Sequence, residues 1–241
     1  MRPALDRQTS RRSVAGGQTL GGVPFALAMA LLACSQSGCV NAMVMAGKVF
    51  FGDSQIISAF EQRTGVSLCD GDRNVVFVCT APGSASKEFD SFAMDLQDEV
   101  RLQLKMHGVT VIQSPQLHEV LSASGGGFDR EAIARAVPDA DYILHANIEQ
   151  FSGTEDASPD LLRGRADGTI YAYEVFHSSS DAGNPRVLQA FYKQLHSDYP
   201  TSHPVSADQV SSRVFYRQFV EHLGQTIGRN FYDVPMTDAI R

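Results

Sequence analysis

The sequence predicts a single α/β domain with a mixed, partly antiparallel sheet packed by helices, and three stretches carry that prediction. Val75-Val76-Phe77-Val78 is apolar and mostly β-branched without alternation, as in a strand buried on both faces. Phe89, Phe92, Leu96, Val100 and Leu104 recur at three- and four-residue spacing, which lays one apolar stripe along a helix. From Tyr142 onward the pattern changes to alternation, with Tyr142, Leu144, Ala146 and Ile148 on one side and His145, Asn147 and Glu149 on the other.

Residues 74–233 are the expected domain, and residues 39–73 read as anchor and irregular linker, apart from a short helix over Ala42 to Phe51. The first strand spans Asn74 to Thr80 and is broken by Pro82-Gly83-Ser84. The long helix runs from Ser86 to His107, and Gly108 ends it, since glycine takes the left-handed conformation that closes a helix without strain. Val109 to Ile112 makes a short strand. Ser114 then caps a brief helix with Pro115 in its first turn, where the missing N–H costs nothing. After a glycine-rich loop, Asp129 caps another helix, which Pro138 stops. Three strands follow, from Asp141, Leu162 and Val187, the last two joined by the polar loop 178–185. A closing helix over Ala207 to Tyr232 is expected to turn Val210, Val214, Leu223, Ile227 and Phe231 inward, leaving 234–241 as a tail. Parallel order early and antiparallel order late make the sheet mixed.

Residues 1–38 read as a lipoprotein signal peptide. Arg2, Arg7, Arg11 and Arg12 precede an apolar run, Val23 to Ala33, with small residues and a cysteine after it. The run contains Pro24 and falls short of the roughly 20 apolar residues that span a bilayer. Two cysteines compete for acylation. Leu31-Leu32-Ala33-Cys34 has the preferred Leu and Ala but a bulky middle residue; Gln36-Ser37-Gly38-Cys39 has the better small residues but a polar Gln. An ordinary secreted protein cleaved near Ala33 is the alternative. The lipoprotein reading implies a cell-envelope location, anchored to a membrane by lipid and facing the periplasm, with an outer-membrane lipoprotein among the forms it takes.

The full chain carries 20 basic and 27 acidic residues, and four of those arginines lie in the leader, which leaves the remainder more acidic still. That balance speaks against nucleic acid, which wants clustered Lys and Arg. Of the other cysteines, Cys69 and Cys79 either pair as a disulfide or remain free, Cys79 as a buried thiol. No CxxC, HExxH or GxSxG occurs, so no catalytic residue, metal site or cofactor is expected. Weaker candidates read better as structure. Gly125-Gly126-Gly127 lacks a phosphate-binding Lys, and Asp70, Asp72 and Asn74 lack the closing Glu of a calcium loop. His145 and Glu149 lie about 13 Å apart along one strand. Arg163, Arg165 and Lys193 are a candidate basic patch, with ion pairs to Asp167 or Glu174 as the plainer reading. Gly224 and Gly228 are expected to let the closing helix approach the sheet.

Two resemblances add to this. Ser37-Gly38-Cys39-Val40-Asn41-Ala42, Val75 to Cys79, Tyr199-Pro200, Phe215 to Phe219 and Ile227 to Tyr232 resemble uncharacterised lipoproteins of planctomycete-type bacteria, and that resemblance implies acylation at Cys39. Ala134-Arg135-Ala136-Val137-Pro138-Asp139-Ala140-Asp141-Tyr142-Ile143-Leu144 is more distantly similar to a periplasm-facing domain. The curli-secretion subunit, the polysaccharide-export ring lipoprotein and the penicillin-binding-protein activator share that domain. The similarity implies a non-enzymatic accessory or adaptor that binds an envelope protein. The alternatives are a self-associating ring subunit of an export system and a hydrolase of unknown substrate.

Overall fold

The computed structural model describes residues 55–83, 91–123, 127–155, 158–177 and 184–236, all within the second of the chain's two units, 54–241. Cys34, Cys39, the helix expected at Ala42 to Phe51, Phe89, Gly125, Gly126 and the loop 178–183 lie outside the described residues.

In chain order the elements are β1 (Gln55–Ile56), α1 (Ala59–Thr64), β2 (Asn74–Thr80), α2 (Phe92–Met106), β3 (Thr110–Val111), α3 (Pro115–Ala123), α4 (Arg130–Ala136), β4 (Tyr142–Glu155), β5 (Ser158–Phe176), β6 (Arg186–Tyr199), β7 (Val205–Ser206), α5 (Ser212–Gly228) and β8 (Val234–Pro235). The main sheet runs β3-β2-β4-β5-β6, with β7 alongside the start of β5. β2 pairs parallel with β3 and β4; β4–β5 and β5–β6 are antiparallel. This is the mixed sheet that the sequence predicts.

One sheet face is covered by α1, α2 and α5. Val75, Phe77, Leu144, Ile148, Ile170 and Phe191 from the strands meet Phe60, Leu96, Val100, Phe219, Leu223 and Ile227 from the helices. The other face carries a smaller cluster in which Val76, Val78, Ile143 and Val175 meet Leu117 of α3, Ile133 of α4 and Val137 just after it. β2 is therefore buried on both faces, which is why its sequence does not alternate.

Local sequence sets most boundaries. Asp129 accepts the Ala132 N–H at the start of α4, 3.0 Å away, and Ser211 accepts the Val214 N–H at the start of α5. Gly108 follows α2 at a φ of 84°, a region open to glycine. Asp141 ties β4 to β2 by accepting the Asn74 N–H at 2.7 Å.

Several expectations are corrected. The domain starts near residue 54 rather than at Asn74. Ser58 caps α1 by accepting the Glu61 N–H, Phe60 is fully buried, and β1 pairs with β8. The supposed tail thus contributes a strand. α5 begins at Ser212, five residues later than expected, and Phe215, Phe219 and Val220 turn inward, leaving Val214 exposed. The sequence stripe was read one position out of phase over its first turns.

Gly224 and Gly228 face α2 and the chain end rather than the sheet. A Cβ at Gly224 would lie 2.5 Å from Glu99 Cγ, and one at Gly228 would lie 2.8 Å from the Tyr232 ring. Gly224 lets α5 pack closely against α2, and Gly228 makes room for the Tyr232 ring.

The disulfide is not made. Cys69 and Cys79 are both free. Cys69 lies beside Gly108 at the end of α2, whereas Cys79 donates its backbone N–H to Gln97 in the first half of that helix. The strand from Asn74 to Cys79 alone covers about 16 Å at about 3.3 Å per residue, and a disulfide needs its Cα atoms within about 7 Å. Burial pushes the Cys79 thiol up to about 12.

Candidate functional site

α3 and α4 cover only part of the second sheet face. Beyond them the antiparallel half of the sheet presents polar and aromatic side chains: Asn147 and Glu149 from β4, Arg165, Asp167, Thr169 and Tyr171 from β5, and Tyr192, Gln194 and His196 from β6. Register puts them in cross-strand pairs, His145 with Tyr171, Asn147 with Thr169, Tyr171 with Tyr192 and Asp167 with His196.

His145 sits at the inner border of this face. Its ring stacks on Phe128 at 3.7 Å between centroids and lies near Tyr171 at 6.0 Å. A cavity of about 560 Å³ opens beside it, lined by Thr80, Pro82, Phe128, Asn147 and Glu149 among others.

The hydrogen bonds there fix a direction. Glu149 is a pure acceptor, and Asn147 Nδ2 donates to it at 3.4 Å, leaving Asn147 Oδ1 to accept from the Thr80 hydroxyl at 3.1 Å. With its only proton so used, Thr80 Oγ1 must accept from His145 Nε2–H at 2.8 Å. The imidazole therefore carries its proton on Nε2, and Nδ1 is buried with no hydrogen-bond partner among the described residues.

This arrangement is a poor catalytic pair. A hydroxyl nucleophile needs a basic nitrogen facing it and an orienting group behind the ring. Here the nitrogen facing Thr80 is protonated, no carboxylate among the described residues reaches Nδ1, and burial lowers the imidazole's pKa to about 4. Histidine and Glu149 communicate only through Asn147 and Thr80.

A pH effect follows. An unfolded histidine takes up a proton below about 6.5, which the folded chain refuses until about 4. The contribution is whole above 6.5 and is lost as pH falls through that window, by about 3 kcal/mol at about 1.4 kcal/mol per pH unit. Urea unfolding at pH 7 and pH 4.5 should show this loss in the wild type, and His145→Phe should lack that share of it.

The outer part of the face is ionic. Arg163 and Arg165 both bind Glu155 and hold its carboxyl below the usual range, and Arg165 also reaches Asp198 at 3.6 Å. Asp167 binds His196 at 2.6 Å and raises the pKa of that exposed imidazole. The arginines are thus paired, as expected, though with Glu155 and Asp198. Lys193 pairs in register with Ile170 on the opposite face, so the three basic residues form no patch. Asn74 is occupied with Asp139 and Asp141, and no cluster of three metal-binding side chains occurs among the described residues.

Sequence reasoning singled out His145 and Glu149 but missed Thr80, Asn147 and Phe128, which connect and cover them. Alternation in β4 placed Asn147 on the right face. The pairing of Thr80 with Asn147 depends on the register between β2 and β4, which no local pattern carries.

No family model matches the chain, and a search of characterised proteins finds no relative. Among solved structures, the chain is similar to the PelC dodecamer from Paraburkholderia phytofirmans, with 11% identity over 73% of this chain and 95% of that chain and a TM-score of 0.34. The hypothetical protein CT253 from Chlamydia trachomatis is 10% identical over 64% and 97%, with a TM-score of 0.36. Lipoprotein GNA1162 from Neisseria meningitidis is 8% identical over 59% and 90%, also at 0.36. Likeness at this level carries no argument about what the chain does. Among the described residues, no helix is long and apolar enough to cross a membrane.

Proposed function

We propose that the chain is a lipid-anchored envelope protein that works by binding another protein, as a non-enzymatic accessory or adaptor. The observation that carries this reading is the leader: clustered arginines, a short apolar run and a cysteine in a small-residue context. Acylation at Cys39 fixes the domain to a membrane. The open half of the sheet is the surface offered to the partner. It is polar and bears the exposed Tyr192, Gln194 and His196, a composition suited to a wet protein interface. The protonated Nε2 and covered Nδ1 of His145 weigh against hydrolysis at this cavity, since this imidazole offers no base to a nucleophile.

The test is labelling with an alkynyl fatty acid in a bacterial host, followed by membrane fractionation. Wild type and Cys34→Ala should be labelled and sediment with membranes, while Cys39→Ala should lose both label and membrane association. Label that follows Cys34 moves the anchor to that residue. An unlabelled, freely released wild-type chain refutes the anchored reading.

A further inference from the structure

We infer that α2 is a self-association surface, on which a second copy of this chain packs its own α2 antiparallel about a two-fold axis at the level of Val100. The outer stripe of α2 consists of Met94, Asp98, Leu102, Lys105 and Met106. Met94 is 64% exposed, Leu102 52% and Met106 60%, so three of the five side chains turned to water are large and apolar. Isolated exposed apolar residues are ordinary; three along one helical stripe form a patch.

The stripe is also self-complementary. Met94 and Met106 are equidistant from Val100, and so are Asp98 and Leu102. An antiparallel copy therefore sets methionine against methionine at each end and Leu102 beside the copy's Asp98. The charges agree with the same register. Of the exposed charges on the stripe, Asp98 stands in the first half of the helix and Lys105 in the second, so antiparallel pairing brings each within about one helical turn of the other across the axis. Lys105 has no acidic partner among the described residues, and Asp98 is 72% exposed despite its contact with Arg101. The helix dipole also favours acids first and bases last. It gives no reason for the apolar side chains between them.

Grooves flank the ridge on both sides. One, of about 790 Å³, runs between α2 and α3 and is lined by Met94 and Leu117; the other, of about 560 Å³, lies between α2 and α5 and is lined by Leu102 and Val220. A neighbouring helix seated on α2 has these grooves to receive its side chains. Five side chains are a small interface beside the ~800 Å² per partner of a standard complex, so pairing in dilute solution is weak. Confinement to one membrane would strengthen it by raising the local concentration. Only that last step rests on the proposed anchor; the pairing itself does not.

The full chain, extracted in mild detergent, is to be examined by sedimentation equilibrium up to about 100 μM, a range set by the weak pairing of so small a contact. A monomer–dimer equilibrium is expected. Leu102→Glu should abolish it, Lys105→Asp should weaken it at least tenfold, and Asp98→Lys combined with Lys105→Asp should restore it, because both charges recur across the axis. In phosphatidylethanolamine–phosphatidylglycerol vesicles, the double variant Met94→Cys, Met106→Cys should form a disulfide-linked dimer on mild oxidation. Either single variant should not. These positions are exposed, and circular dichroism checks that each variant remains folded. A monomer at every concentration, any assembly indifferent to Leu102→Glu, or equal trapping by single and double variants overturns the inference. Running the same measurements on Cys39→Ala separates failure of the anchor from failure of the interface.

Discussion

Gly168→Ala is expected to destabilise the domain by about 3 kcal/mol or more, at or beyond the upper end of ordinary overpacking. A Cβ at this position would stand 2.1 Å from the Asn147 carbonyl oxygen and 3.0 Å from Ile148 Cα. The obstacle is backbone, so no rotamer change relieves it. β4 cannot retreat freely either, since its other edge is bonded to β2. Gly168 lies where the β4–β5 ladder slips, between Ile148 and Gln150, the kind of irregularity at which a strand glycine admits a close neighbour. Urea unfolding should show a large fall in midpoint with little change in slope. Gly83→Ala is the control: nothing lies within 4 Å of its Cβ, so it should be close to neutral. A Gly168→Ala chain as stable as wild type would mean that β4 and β5 are not paired in this register.

Phe60→Ala should cost about 3–5 kcal/mol, the usual range for emptying a buried phenylalanine site. Its ring lies 5.4 Å from Tyr142, 6.0 Å from Phe191 and 6.0 Å from Phe231, and it joins the first helix to β4, β6 and the chain end. At about 2–4 °C per kcal/mol for a domain of this size, the melting temperature should drop by about 10 °C. The same substitution in an irregular linker would be almost silent. Thermal unfolding thus decides whether the domain begins near residue 54.

How far the sequence could be read depends on whether each signal is local. β2 announced itself because burial on both faces demands an unbroken apolar run, and α2 because its inner face repeats with the helical period. Ser211 and Asp129 are caps that act within three residues, and Asp129 was read correctly. Misreadings arose where the decisive contact is remote. The six residues of α1 are too short for a periodic stripe, and Phe60 is held by residues from the opposite end of the chain. Val214 was assigned inward because its spacing fits, but the start of α5 is fixed by Ser211. In the candidate site, His145 and Glu149 could be placed on one face from alternation alone. Their connection through Thr80 required the parallel register of β2 with β4. The free cysteines are a similar case, since their separation follows from a straight strand between them.

The joining of residues 58–60 to residues 230–233 has a consequence for the order in which the domain folds. The Phe60 N–H donates to Asn230 O at 2.9 Å, and the Ser58 N–H donates to Asp233 across 175 positions. A chain made from its N-terminus supplies α1 long before the groups that receive it. Until those groups are present, the backbone N–H groups of Ser58 and Phe60 lack these two acceptors. Docking of α1 therefore waits for residues 230–233, and this corner of the fold is completed late.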